Sequence, residues 1–384
     1  MSPFQEQRRR ASGTSLAWSG HRSLAPQILR MIHHPTHRPC CRLLLATVAF
    51  SLTVGVAHGG RLVQVPGGAS SFGIDPTRGV AYVANRGGIF TLDLSTSRLV
   101  AASALGPFDT IGDVDATTGL VAVYTMGGGP GPGIFDPVTG GVRSLVHGTN
   151  PAQGALFAGG LLYTSIFECL GFTCGPKLEA LSFDGQVVSY LDSSLILLAR
   201  CTARSADGSV ILIGDTFDRT VLVVSTAGLM ATDAFPVGAD PCPIDVGNDQ
   251  AVVAGNDTSG PGSARGSVVL LDLGHPRSVP QVIRVGRSFV RGVAIDPDHG
   301  RAYAVTSRAN AQHAPRTSSI ANKGGRLMTL TLDRWKVQRR TKLSSRLGAV
   351  QSVAVTPGGR ILVGGENGIL TIVPHFQRVK ASQR

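Results

Sequence analysis

One strand-and-turn pattern recurs along the chain, and such a repeat constrains the fold more than any single residue can. Its clearest copy is Phe72-Gly-Ile-Asp-Pro-Thr-Arg-Gly-Val-Ala-Tyr-Val-Ala-Asn85, followed after Arg86 by Gly-Gly-Ile-Phe-Thr-Leu-Asp-Leu94. Its first strand and turn can be laid over Gly112–Gly119, Gly154–Gly160, Thr202–Gly208, Pro243–Asp249, Val293–Gly300 and Val353–Gly359. With the first copy at Phe72–Gly79, that makes seven, spaced about 40 to 60 residues apart. Each is followed by an apolar strand such as Leu161-Leu-Tyr163 or Ile361-Leu-Val363. A further strand such as Val221-Leu-Val-Val224 or Leu370-Thr-Ile-Val373 comes next. This spacing suits four-stranded units. One small twisted sheet cannot bury both faces, whereas seven packed radially bury one another and leave only short outer edges. The expected fold is all-β, a seven-bladed β-propeller. Closure needs an added strand in the last blade, and Arg61-Leu-Val-Gln-Val65 is the expected donor, with Phe376-Gln-Arg-Val-Lys380 as its rival.

Composition agrees. Forty-nine glycines without a collagen period, 42% hydrophobic and 16% charged residues describe a large core cut by many tight turns.

Ile74-Asp-Pro, Ala81-Tyr-Val-Ala-Asn85 and Asp93, together with Ala294-Ile-Asp-Pro and Arg301-Ala-Tyr-Ala304, resemble YVTN-type β-propeller repeats. The resemblance covers roughly residues 60–380. It is strongest in the first repeat, fair in the sixth and seventh, and eroded in the second to fifth, where the Asp-Pro turn or the Tyr-Val-Asn strand is missing. It implies the fold and an exported protein. Repeats of this kind are shared with lactonase-like propellers and quinoprotein-associated chains, so the resemblance says far less about activity.

Residues 1–57 read as a leader. The run Leu43–Val56 is apolar and uncharged, follows Arg38 and Arg42, and ends in small residues at Gly55-Val-Ala57, the pattern of a secretory signal. It is shorter than the ~20 residues of a membrane span. Met31 is a candidate true start, and retention as an uncleaved anchor is the alternative to cleavage. Residues 58–384 would then form one periplasmic or extracellular domain. The leader holds seven arginines against Glu6, half of the formal net charge of +12. The remainder is only mildly basic, which argues against nucleic acid as a partner. The cluster Arg334, Lys336, Arg339, Arg340, Lys342 and Arg346 reads as a solvated outer strand and loop. His33, His34, His37, Cys40 and Cys41 have metal-ligand chemistry but belong to the leader.

Four cysteines follow the leader, an even number that favours disulfides in an oxidising compartment. Cys201 and Cys242 occupy one slot in adjacent repeats and are expected to bridge two blades, with Cys169 and Cys174 closing a small loop. Cross-pairing and thiols are the alternatives.

The overlay places Ser70, Thr110, Arg200, Arg291 and Gln351, along with Pro151 and Pro241, around the mouth of the channel. The two arginines could grip a carboxylate or phosphate, or pair with Asp109 or Asp240. The large insertions, 126–133, 167–174, 256–263 and 307–325, all fall between second and third strands. They share a face with the channel mouth, which makes that face the candidate binding surface. Asp75, Asp115 and Asp296 sit at strand-to-turn junctions and read as turn residues. No catalytic residue, metal set or cofactor motif stands out. The chain therefore reads as an exported, monomeric, non-catalytic binding or scaffold module. Its partner would be a protein, a glycan or a small anionic ligand. The alternative is a lactonase-like hydrolase or a quinoprotein-associated enzyme chain.

Overall fold

The computed structural model describes residues 60–125, 131–145, 152–170, 173–191, 199–257, 265–308 and 325–373. They form seven antiparallel sheets of four strands each. Six blades run in simple sequence order over residues 71–103, 110–144, 152–191, 199–236, 240–286 and 288–342. The seventh takes three strands from 350–372 and its outermost strand from Gly60–Gln64, which pairs antiparallel with Gly368–Ile372. The ring is thus closed by the N-terminal strand, in a window one residue earlier than Arg61–Val65. Val65 lies just past the strand and is buried between blades seven and one. The rival segment 376–380 is outside the described residues.

Burial follows position in the blade. Second strands such as Val80–Asn85, Val121–Tyr124 and Ile361–Gly365 are buried almost throughout, because a neighbouring sheet covers each of their faces. Fourth strands such as Arg98–Ser103 and Lys336–Lys342 are largely exposed. Lys336, Arg339, Arg340 and Lys342 are therefore solvated charges on an outer edge, a placement that blunts edge-to-edge pairing.

The core is a set of seven interfaces, each an apolar cluster straddling two adjacent blades. Between blades one and two, Tyr82, Ala84 and Ile89 meet Ile111, Val121, Val123 and Phe135, with the Tyr82 and Phe135 rings edge to face at 6.4 Å. Between blades seven and one, Val63, Leu362 and Ile369 meet Ala81, Val83 and Leu92. Seven interfaces for seven blades leave no bare sheet face.

The Asp residues at the turns do the work their position predicts. Asp75 accepts from the Arg78 backbone N–H and from Arg78 Nη1, both at 2.9 Å. Asp115 accepts from Thr117 N and Thr118 Oγ1, and Asp296 meets His299 Nδ1 at 2.8 Å.

The insertions 126–133, 256–263 and 307–325 fall largely outside the described residues. The segment 167–174 differs from its reading as a loop. Leu161–Leu170 and Thr173–Leu181 pair continuously, so most of this stretch extends the second and third strands of blade three as a hairpin. Cys169 and Cys174 are direct cross-strand partners in it.

Candidate functional site

The innermost strands of the blades line the channel, and most of them are irregular at their first residues. Pairing with the second strand slips between Ile111 and Asp113, Ala152 and Gly154, Ala199 and Cys201, Pro241 and Ile244, Val290 and Gly292, and Val350 and Ser352. A bulge of this kind inserts an unpaired residue and turns it out of the ladder. The inserted residues are Gly112, Gln153, Arg200, Cys242 with Pro243, Arg291 and Gln351. Repeat counting thus brought Arg200, Arg291 and Gln351 to one structural slot. It placed Thr110 two residues early, since Gly112 holds the slot in blade two and Thr110 is paired with Tyr124.

The mouth residues differ in what they leave available. Ser70 Oγ donates to Ala84 O at 2.6 Å and reaches Asp109 O at 3.2 Å, and Thr110 Oγ1 donates to Asp109 Oδ1 at 2.9 Å. Both hydroxyls are engaged by the protein itself. Gln351 is exposed. Arg291 is half-buried, with Nε donating to Ser307 Oγ at 2.9 Å and its guanidinium 5.3 Å from the centre of the Phe289 ring. Burial lowers its pKa, and among the described residues no carboxylate forms an ion pair with it.

Cys201 and Cys242 stand as thiols on adjacent innermost strands, with Cys201 Sγ 3.0 Å from Pro241 O. Tyr124 joins them at this end of the channel. Burial, with Cys242, Cys201 and Asp109 adding to it, raises its phenol above the ordinary value. Asn256 ties blade five to blade six by accepting from Val290 N and donating to Val290 O.

The other end of the channel holds a charged cavity of about 270 Å³ bordered by blades two to five. It lies where innermost strands run into their first turns, beside Arg204, the last residue of Ala199–Arg204, and Ser205. Arg204 Nε donates to Asp113 Oδ2 at 2.6 Å, and the same oxygen accepts from Phe157 N at 3.0 Å. Asp245 Oδ2 accepts from Ile295 N at 2.8 Å and Oδ1 from Val246 N at 3.0 Å. Burial pushes the Asp245 carboxyl up to about 6, its two backbone donors notwithstanding, and Asp113 adds to the rise. Burial also raises Asp113, against the pull of Arg204.

The large insertions lie toward the mouth and do not mark this end. A signal for it is present in the overlaid repeats. Their third position reads Ile74, Val114, Leu156, Arg204, Asp245, Ile295 and Val355, two charges in an otherwise apolar column. Their second position carries one charge, Asp113. Among the described residues no three His, Cys, Asp or Glu side chains converge as a metal-binding group, and no helix is long and apolar enough to cross a membrane.

Fold and site together define a seven-bladed β-propeller with a bulged mouth at one end of its channel and a charged cavity at the other. Among solved structures it is similar to the WD40 beta propeller domain of Doa1, with a TM-score of 0.57 and 12% identity over 82% of this chain and 95% of that one. At that identity the likeness concerns the fold alone. No family model and no curated protein matches the sequence.

Proposed function

We propose that this chain is an exported, non-catalytic binding propeller with YVTN-type repeats. It takes an anionic group, a carboxylate or phosphate carried by a protein, a glycan or a small molecule, at the bulged mouth of the channel. The observation that carries this reading is Arg291. A half-buried guanidinium resting on Phe289 and Ser307, without a carboxylate partner among the described residues, has lost part of its hydration and kept its charge. An incoming carboxylate or phosphate restores the missing counter-charge through charge-assisted hydrogen bonds. Gln351 holds the same slot in the next blade and offers amide donors beside it. Export rests on the apolar run Leu43–Val56 and its flanks.

The test is isothermal titration at low ionic strength with citrate and with inorganic phosphate. Saturable binding to one of them is expected, weakened about tenfold in Arg291→Gln, the loss of roughly one charge-assisted hydrogen bond. Equal affinity in the variant would remove the mouth from consideration.

A further inference from the structure

We infer that the cavity bordered by blades two to five is a binding site for a small organic monocation, whose ammonium group is held by Asp245 beside the Asp113–Arg204 pair. Two carboxylates and one guanidinium line this cavity of about 270 Å³, leaving one negative charge in excess when both acids are ionised. Asp113 has its counter-ion in Arg204 at 2.6 Å. Asp245 has two backbone donors and, among the described residues, no cationic side chain within ion-pair distance. The uncompensated charge therefore belongs to Asp245.

A purely structural role does not account for that charge. Asp245 fastens blade five to blade six by accepting from Ile295 N, and Asp113 fastens blade two to blade three by accepting from Phe157 N. The ring makes the same kind of fastening elsewhere with neutral side chains. Ser71 Oγ accepts from Ile111 N at 2.8 Å between blades one and two, and Asn256 Oδ1 accepts from Val290 N at 2.8 Å between blades five and six. A carboxylate in a desolvating wall costs stability that a serine or asparagine does not, so the charge needs another reason. A cation entering the cavity supplies one. It meets a carboxylate already oriented by two backbone donors, with Thr202 among the other lining residues. A cavity of this volume suits a small ligand, with the ammonium head at Asp245 and the rest directed to the open side.

Binding should depend on pH through Asp245. The charged groups facing it are Asp113 from blade two and Arg204 from blade four, while blade three contributes Leu156 and blade six the Ile295 amide. The experiment is calorimetric titration of the whole protein with n-propylammonium chloride at pH 7.5, with sodium chloride at matched ionic strength as reference. Saturable binding is expected for propylammonium and absent for sodium, and it should weaken at least tenfold in Asp245→Asn. In the wild type it should weaken progressively between pH 7.5 and pH 5 as Asp245 takes up its proton. Equal affinity in the variant, an equal response to sodium, or no saturable binding at all overturns the proposal. Should Asp245→Asn fail to fold, the wild-type profile decides alone, and a flat affinity between pH 7.5 and pH 5 overturns it.

Discussion

Asp245 links stability to pH in a direction opposite to most carboxylates. Its native carboxyl is held at about 6, above the ordinary value near 4. Between those values the native protein keeps a proton that the unfolded chain has released, so stability falls as pH rises from about 4 to about 6 and levels off above that. Asp245→Asn keeps an oxygen for the Ile295 N–H, loses the charge, and sets its amide NH2, a donor, against the Val246 N–H. The lost Val246 bond costs the same at both pH values, so the linkage appears in the difference: relative to the wild type, the variant should be about 1 kcal/mol more stable at pH 7.5 than it is at pH 4, the linkage value discounted for partial exposure. Urea unfolding at the two pH values checks this. Gly112 sits at the opposite extreme of tolerance. A Cβ built on it would lie 1.8 Å from Ala155 O, because the innermost strands of blades two and three meet backbone to backbone there. Gly112→Ala should cost several kcal/mol, on the order of an overpacked core site, and lower the urea midpoint accordingly. The sequence made the two kinds of residue unequally visible. Asp75, Asp115 and Asp296 declare themselves through their own turns, three residues of local chemistry. The carboxylates of Asp113 and Asp245 acquire meaning only from strands about 50 residues away in sequence, Phe157 and Ile295.

Elements were legible where the pattern was local and repeated. The seven first strands, the apolar second strands and the N-terminal closing strand all follow from the overlay, the last displaced by one residue. The hairpin of blade three was hidden because Phe-Glu-Cys-Leu-Gly-Phe-Thr-Cys has a loop-like glycine and little alternation, and cross-strand pairing overrode that composition. The mouth bulges were hidden as well, since an extra residue in a short strand leaves no mark in hydropathy. The closing strand can be tested directly. Val63 is 4% exposed and sits among Ala81, Val83, Leu362 and Ile369, so Val63→Asp buries an unpaired charge and is expected to destabilise the ring by about 3 kcal/mol or more. Loss of the cooperative unfolding transition in urea would register it. A change within about 0.5 kcal/mol would mean that the ring does not depend on this clasp.

At the scale of the molecule, the two cysteine pairs report on the compartment and on the blade order together. Cys169 lies opposite Cys174 in one hairpin, and Cys201 and Cys242 lie on neighbouring innermost strands. In protein prepared under oxidising conditions, peptide mapping without reductant should link 169 to 174 and 201 to 242. A link between Cys201 and either residue of the hairpin would refute the pairing by blade slot. Light scattering should find a monomer, because the seven blade interfaces are all satisfied within one chain. The strand pairing Gly60 with Ile372 also carries a consequence for the order in which the molecule comes into being. Among the described strands this one precedes all seven blades' own strands and pairs with the last, so the cluster between blades seven and one stays half built until Leu362 and Ile369 exist. A chain that stops short of blade seven is an arc with a bare apolar face at each end, and the entropically costly joining of those ends waits for that blade. The ring therefore closes all at once, and blade seven is the checkpoint for the whole.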